Sequence, residues 1–293
     1  MNDVLIPAMD SAPLLPLQQH PAFTAALRRC GAAALCIDLP GAAPVQVIRR
    51  FGLSLASRGP VWLDGPDARA LRRAPLALVN SDGGDTAALR VAGFRRIFTA
   101  ATVAELSLTG GREARLSRMA GTWRNALRRA EAASPCLRAE RLCPTHHRWL
   151  LDADRRQQRA KGFRTLPHGL LLAYAAIRPG DTLVLTALHG GTPAAAMLFL
   201  VHGAVATYQL GWSGPEGRRL ACHHALLHAA MDRLADSCVR LDLGTVDTVN
   251  APGLARFKIG TGATLRPLGG TWLRVPGLQA CPAPHGACRD GAL

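Results

Sequence analysis

The sequence predicts a mixed α/β (α+β) chain, and three observations predict it. From 21 to about 102, short apolar runs alternate with helix-like stretches, the pattern of strands layered against helices. From 182 to 210, three strand-length runs follow one another, separated by Gly190-Gly191 and His202-Gly203, where tight hairpin turns need glycine. Residues 239–244 read VRLDLG: an apolar strand delivers a carboxylate and a glycine to its C-terminal end, where α/β proteins commonly build sites.

Taken in order, residues 1–20 are proline-rich and read as a poorly ordered lead-in. Ala22–Arg29 is helix-like and leads to the apolar run Ala33–Ile37. Val45–Ser57 reads as a second helix-like stretch, ahead of Val61-Trp62-Leu63. Leu76–Val79, the helix-like Thr86–Ala92 and Arg96–Phe98 follow. Few polar side chains of catalytic type occur here, which suits a scaffold or acceptor-side domain at 21–102. Val103–Leu108 reads as a strand, Gly110-Gly111 as a turn, and 112–132 as one long helix. There Leu116, Met119, Trp123 and Leu127 recur at three- to four-residue steps. Cys136–Leu142 reads as a strand, Thr145–Arg159 as a helix, and Pro167–Ile177 as a helix opened by its proline. Thr182–Leu188, Pro193–Val201 and Ala204–Leu210 form an antiparallel meander. The turn GWSGPEGRRLA at 211–221 leads into a helix over 218–236. A strand (Val239–Leu243), a polar turn, a short segment with Arg256, Phe257 and Lys258, and a final apolar run (Thr264–Leu273) complete a second domain at 103–275. Residues 276–293 read as a disordered tail.

No apolar run reaches the roughly 18–20 residues of a membrane span. The first residues lack the basic start and apolar core of a secretion signal, so a soluble, cytoplasmic protein is expected. The formal charge is +15, and Lys161 and Lys258 are the only lysines. Residues 112–164 carry fourteen basic and five acidic side chains. That concentration favours an anionic ligand (a pyrophosphate, an acidic carrier protein or an RNA) or else marks solvated arginine-rich helix faces. Eight cysteines include no CxxC, so free thiols are expected and no metal framework. His224 and His228 have the spacing of a zinc metalloprotease helix, but Ala225 stands where that motif needs glutamate.

Gly211, Gly214 and Gly217 let backbone N–H groups approach a ligand closely. Arg218 and Arg219 open the helix that follows, whose N-terminus suits a pyrophosphate. Arg124 and Arg128 lie four apart on one helix face, as an anion clamp or a solvent-facing pair.

The segments WRNALRRAE, YQLGWSGPEGRRL and LDLG…GLARFKIGTG resemble FemAB-like proteins, also called BioF2-like, a branch of the GNAT acyltransferase superfamily. The resemblance covers about 103–273 and extends more loosely over 21–102. It implies tandem GNAT-like domains, each a mixed, largely antiparallel central sheet flanked by helices, the N-terminal one degenerate. It implies an N-acyltransferase that moves an acyl group, other than an aminoacyl group, from a thioester to an amine. Acyl-CoA would be the co-substrate, with no permanently bound cofactor. An acyl carrier protein is another donor, and the acceptor would be a small-molecule or cell-envelope precursor amine. Aminoacyl-tRNA-dependent transfer and a catalytically silent binding protein are the alternatives, although the chain lacks the coiled-coil arm that tRNA-using members often insert. By the same resemblance, Lys258 stabilises charge on the acyl oxygen or holds an anionic group. Asp242 orients the acceptor or takes its proton, and Tyr208 protonates the leaving thiolate. Gly211, Trp212, Gly214, Gly217, Arg218 and Arg219 hold the donor, and Arg124, Arg128, Arg256 and Asn250 contact substrate.

Overall fold

A computed structural model describes residues 13–274. The tail expected at 276–293 and the first twelve residues of the lead-in lie outside them. A 3-10 turn (Leu17–Gln19) precedes α1 (Pro21–Arg29). Then come β1 (Ala33–Ile37), β2 (Val45–Arg50), β3 (Leu53–Ser57), α2 (Ala68–Arg73), β4 (Leu78–Ser81), α3 (Thr86–Val91) and β5 (Phe94–Phe98). The second half runs β6 (Thr102–Ser107), α4 (Arg112–Arg118), α5 (Gly121–Ala132), β7 (Cys136–Glu140), α6 (Arg148–Lys161) and α7 (His168–Ile177). It continues through β8 (Thr182–His189), β9 (Thr192–His202), β10 (Val205–Ser213), α8 (Pro215–Arg219), α9 (Cys222–Leu234), β11 (Arg240–Thr245), α10 (Pro252–Gly260), β12 (Thr264–Pro267) and β13 (Gly270–Arg274).

Two mixed sheets result, ordered β1-β2-β3-β4-β13-β5 and β12-β6-β11-β10-β9-β8-β7. Each is largely antiparallel with one parallel step, β3–β4 in the first and β10–β11 in the second. The second half lends the first a strand. β13, expected to close the second domain, lies between β4 and β5 of the first sheet. β6 lies between β11 and β12 of the second. A division at 102/103 therefore leaves the first sheet one strand short. The second sheet is covered on both faces. Trp123, Leu127, Leu226 and Met231 of α5 and α9 bury one face, and Leu150, Leu171 and Tyr174 of α6 and α7 bury the other. Phe23 and Ala26 of α1 join that second layer, although α1 precedes the first sheet.

Local differences from the sequence reading have physical causes. Val45–Ser57 is a β-hairpin rather than a helix. β-branched Val45 and Val47 are buried, and Phe51 and Gly52 take positive φ of 50° and 73°, the pattern of a tight two-residue turn. Val61-Trp62-Leu63 makes only an isolated bridge, Trp62 to Ala42. The 112–132 helix breaks at Met119-Ala120, and the Ala120 N–H turns out to the Gly260 carbonyl at 2.9 Å. The 218–236 helix breaks at Ala221, which sits at φ 54°. The short segment at 252–260 is a helix, and Thr264–Leu273 is two strands in two different sheets. Part of the lead-in is core: Leu17 is buried, and the Gln19 amide bonds the Gln46 N–H, the Gln46 carbonyl and the Ser57 carbonyl.

Candidate functional site

β10 pairs with β11 only over Val205–Thr207 against Arg240–Asp242. Beyond Thr207, β10 stays on β9 as far as Ser213, while β11 follows β6. The unpaired continuations line a cavity of about 670 Å³. Tyr208, Gln209, Leu210, Gly211 and Ser213 form one wall, and Leu243, Gly244 and Thr245 form the other. A register skip between Tyr208 and Leu210 leaves Gln209 out of the β9 ladder, so the wall carries a bulge that re-aims its side chains. The cavity is also lined by Arg129 of α5, by Asp154, Gln157 and Lys161 of α6, by the start of α9 and by Phe257 and Lys258 of α10. Both lysines of the chain therefore reach the same hollow. Four cationic side chains (Arg129, Lys161, Arg218 and Lys258) face one carboxylate, Asp154.

Lys258 is not a solvated turn residue. It is buried on α10, and its Nζ donates to the Thr245 carbonyl at 2.7 Å. Burial pushes the ammonium down from its usual 10.5 to about 8, with the charge of Asp242 pulling the other way. The helix is held by the WRN segment. Trp123 Nε1 donates to the Phe257 carbonyl at 3.2 Å, and a β-carbon at Gly260 would press on the Trp123 ring. The tryptophan of that motif, rather than its arginines, meets the FK motif.

Asp242 does not line the cavity. It is buried at the strand end, where Arg58 Nη1 donates to Oδ2 at 2.9 Å and the Gly244 N–H to Oδ1 at 2.7 Å. Arg58 also bonds Asp82, and Arg266 bonds Asp82 and Glu105. This charged network joins the two sheets and engages both Asp242 oxygens away from the cavity. Tyr208 does line the cavity. Burial, with a smaller contribution from Asp154, pushes its phenol upward, so it stays protonated at neutral pH.

The glycine turn divides. Gly211 and Gly217 line the cavity, and a β-carbon there would collide with the Tyr208 hydroxyl and the Ala194 carbonyl respectively. Gly214 caps α8 outside it, with its N–H on the Ala194 carbonyl at 2.9 Å. Trp212 packs edge-on against Trp149, and its carbonyl accepts from His223 Nε2 at 2.9 Å. Arg218 lines the cavity, whereas Arg219 pairs with Glu216 on the surface. The longer helix starts at Cys222, and its first turn, with Ala221, His223 and His224, is the one that borders the hollow. Burial lowers both histidines, His224 to about 4, so they are neutral at pH 7.

The expected substrate clamp is not assembled. Arg124 Nη1 caps the end of α4 through the Met119 carbonyl at 2.6 Å. Arg128 is exposed beside Asn125. Arg256 is exposed, and Asn250 is tied to Asp247 in the preceding turn. Arg129, which the helix-face reading passed over, is the arginine of α5 that lines the cavity. Asp154 and His168 were also missed; they sit on different helices and carry no spacing signal. No group of three or more metal-ligating side chains occurs among the described residues, and Cys30, Cys36, Cys136, Cys143, Cys222 and Cys238 are free.

Residues 117–258 match the family model described as "Acetyltransferase (GNAT) domain". That stretch begins in α4 and ends on Lys258, and so spans most of the cavity. No curated protein matches the chain in sequence. Among solved structures the chain resembles FemX, at 14% identity and TM-score 0.70, over 90% of this chain and 94% of that one. A conserved protein of unknown function from Bacteroides thetaiotaomicron aligns at 10% identity and TM-score 0.60, over 88% and 90%. The C-terminal DUF2156 domain of a candidate lysylphosphatidylglycerol synthetase from Agrobacterium fabrum aligns at 16% identity and TM-score 0.57, over 89% of each chain. Residues 117–258 thus match the GNAT acetyltransferase domain model, and the chain as a whole shares the fold of FemX.

Proposed function

We propose that the protein is an N-acyltransferase that takes an acyl group from an acyl thioester, acyl-CoA, and passes it to an amine. One observation carries the reading: Lys258, the glycine turn and the start of α9 converge on a single cavity between strands that have parted. The cationic lining suits the phosphates of the donor, and the parted strands offer main-chain groups to its extended arm. With the thioester carbonyl in the hollow, the Lys258 ammonium stabilises the oxyanion that develops as the amine attacks. Tyr208, kept protonated by burial, supplies the proton for the departing sulfur. The reading puts the protein in the cytoplasm, where acyl-CoA is available. It is tested by calorimetric titration with acetyl-CoA and longer acyl-CoAs. Saturable binding that Lys258→Ala weakens or uncouples from transfer supports it, and no binding of any thioester removes it.

A second reading, transfer from aminoacyl-tRNA, is favoured by the FemX-like fold and the positive rim. It requires tRNA binding that weakens steeply with salt; binding indifferent to salt would remove it.

A further inference from the structure

We propose that Asp154 is the catalytic carboxylate that takes the proton from the acceptor amine, and that His168 is its positioning residue. The assignment rests on the acyl-transfer reading above. Asp154 is 1% exposed and lines the cavity, so a buried acid faces the hollow that holds Lys258. Its two hydrogen bonds both fall on one oxygen. Oδ2 accepts from His168 Nε2 at 2.8 Å and from Gln158 Nε2 at 2.5 Å. Oδ1 is left for a ligand. Asp242 is the opposite case, with Arg58 on one oxygen and the Gly244 N–H on the other. Among the described residues no arginine or lysine is ion-paired with Asp154. His168 opens α7 and Asp154 lies in the middle of α6, so two helices fix the carboxylate, as a proton acceptor requires. Tyr208 lines the same cavity, so the acceptor end and the leaving-group end share one hollow.

The step balances. The amine nitrogen attacks the thioester carbonyl carbon, a C–N bond forms and the C–S bond breaks. The amine proton passes to Oδ1 of Asp154. The sulfur leaves with the Tyr208 proton, and the phenol regains one from Asp154. The products are an amide and a free thiol, and both side chains return to their starting state.

The test is thiol release from acetyl-CoA in the presence of ethanolamine, glucosamine or lysine, with acetyl-CoA affinity measured separately. Asp154→Asn keeps the shape and can still bond His168 and Gln158. It is expected to lower kcat by about 10²–10⁴-fold while acetyl-CoA binds within about twofold of wild type. His168→Gln is expected to lower kcat roughly tenfold with the donor KM unchanged. Should Asp154→Asn fail to fold, Asp154→Glu, which shifts the carboxylate by one methylene, is expected to lose more than about tenfold in kcat. Folded Asp154→Asn or Asp154→Glu that turns over within about threefold of wild type overturns the assignment alone. So does a pair of Asp154 and His168 variants that lower only the melting temperature. Wild-type protein that releases no thiol above the uncatalysed rate overturns the acyl-transfer reading, and the assignment with it.

Discussion

In the first sheet β3 stops at Ser57, where its parallel pairing with β4 stops; in the second, β10 runs on to Ser213 although its pairing with β11 ends at Thr207. The two sheets otherwise share a plan of antiparallel pairs around one parallel step, and the first also takes in a strand from the second half, β13. The difference in strand length decides what each parallel step becomes. After β3 the next residue, Arg58, takes φ 55° and sends its guanidinium across to Asp242 of the second sheet. After Thr207 the strand outlasts its partner and opens a hollow. No residue of 21–102 lines that cavity. The first half therefore contributes a buttress to the candidate site, and the second contributes its walls.

The sharpest way to break this contrast is Arg58→Ala, which leaves Asp242 buried and deprives Asp82 and Glu105 of a partner. Removing one member of a buried charged set costs about 3–5 kcal/mol, to be read from urea unfolding. A loss below about 1 kcal/mol, the worth of an exposed pair, would show that the network does not brace the halves.

Lys258→Met tests the wall rather than the buttress. Transfer is expected to fall by about 10²–10³-fold, while thermal unfolding shows no loss, because a desolvated ammonium is replaced by an apolar chain. The same lysine sets a pH signature. Its folded value, about 8, lies below its usual 10.5, so transfer that needs the ammonium declines as pH rises through about 8. Between those values the unfolded chain binds the extra proton. This group's contribution to stability therefore increases from pH 8 to 10.5, and Lys258→Met should erase that increase.

Gly217→Ala is expected to cost about 1–3 kcal/mol of stability through overpacking against the Ala194 carbonyl. Arg129→Ala should weaken acetyl-CoA binding by up to about fivefold, the scale of one exposed charge contact. Arg128→Ala, on the neighbouring but outward face, should leave binding unchanged. Equal effects of the two would mean that the helix acts through general charge rather than through the cavity.

The second half was largely legible because its signals are local. Glycine pairs mark the meander, and Gly190 and Gly191 do take positive φ. Leu116, Met119, Trp123 and Leu127 sit on the faces their spacing predicted, even though the chain breaks at Met119. The first half was harder. Val45–Ser57 carries apolar residues at both helical and alternating steps, and only the left-handed Phe51-Gly52 turn settles it as a hairpin. The site was legible where a motif names a residue, as at Lys258, Gly211 and Gly217. It was illegible where partners come from afar. Arg58 lies 184 residues from Asp242, and nothing along the chain announces that pairing. Asp154 with His168 is a similar case, set by the packing of two helices.

The borrowed strand governs the order in which the protein can be built. A chain emerging from the ribosome amino end first exposes β4 and β5 with the slot between them vacant, and the slot is filled only when Gly270–Arg274 arrives. Until that segment has been made, two strand edges stand open to partners from other chains. Premature termination ahead of Gly270 would leave that gap for good, so the last described strand acts as a check that synthesis has passed both sheets.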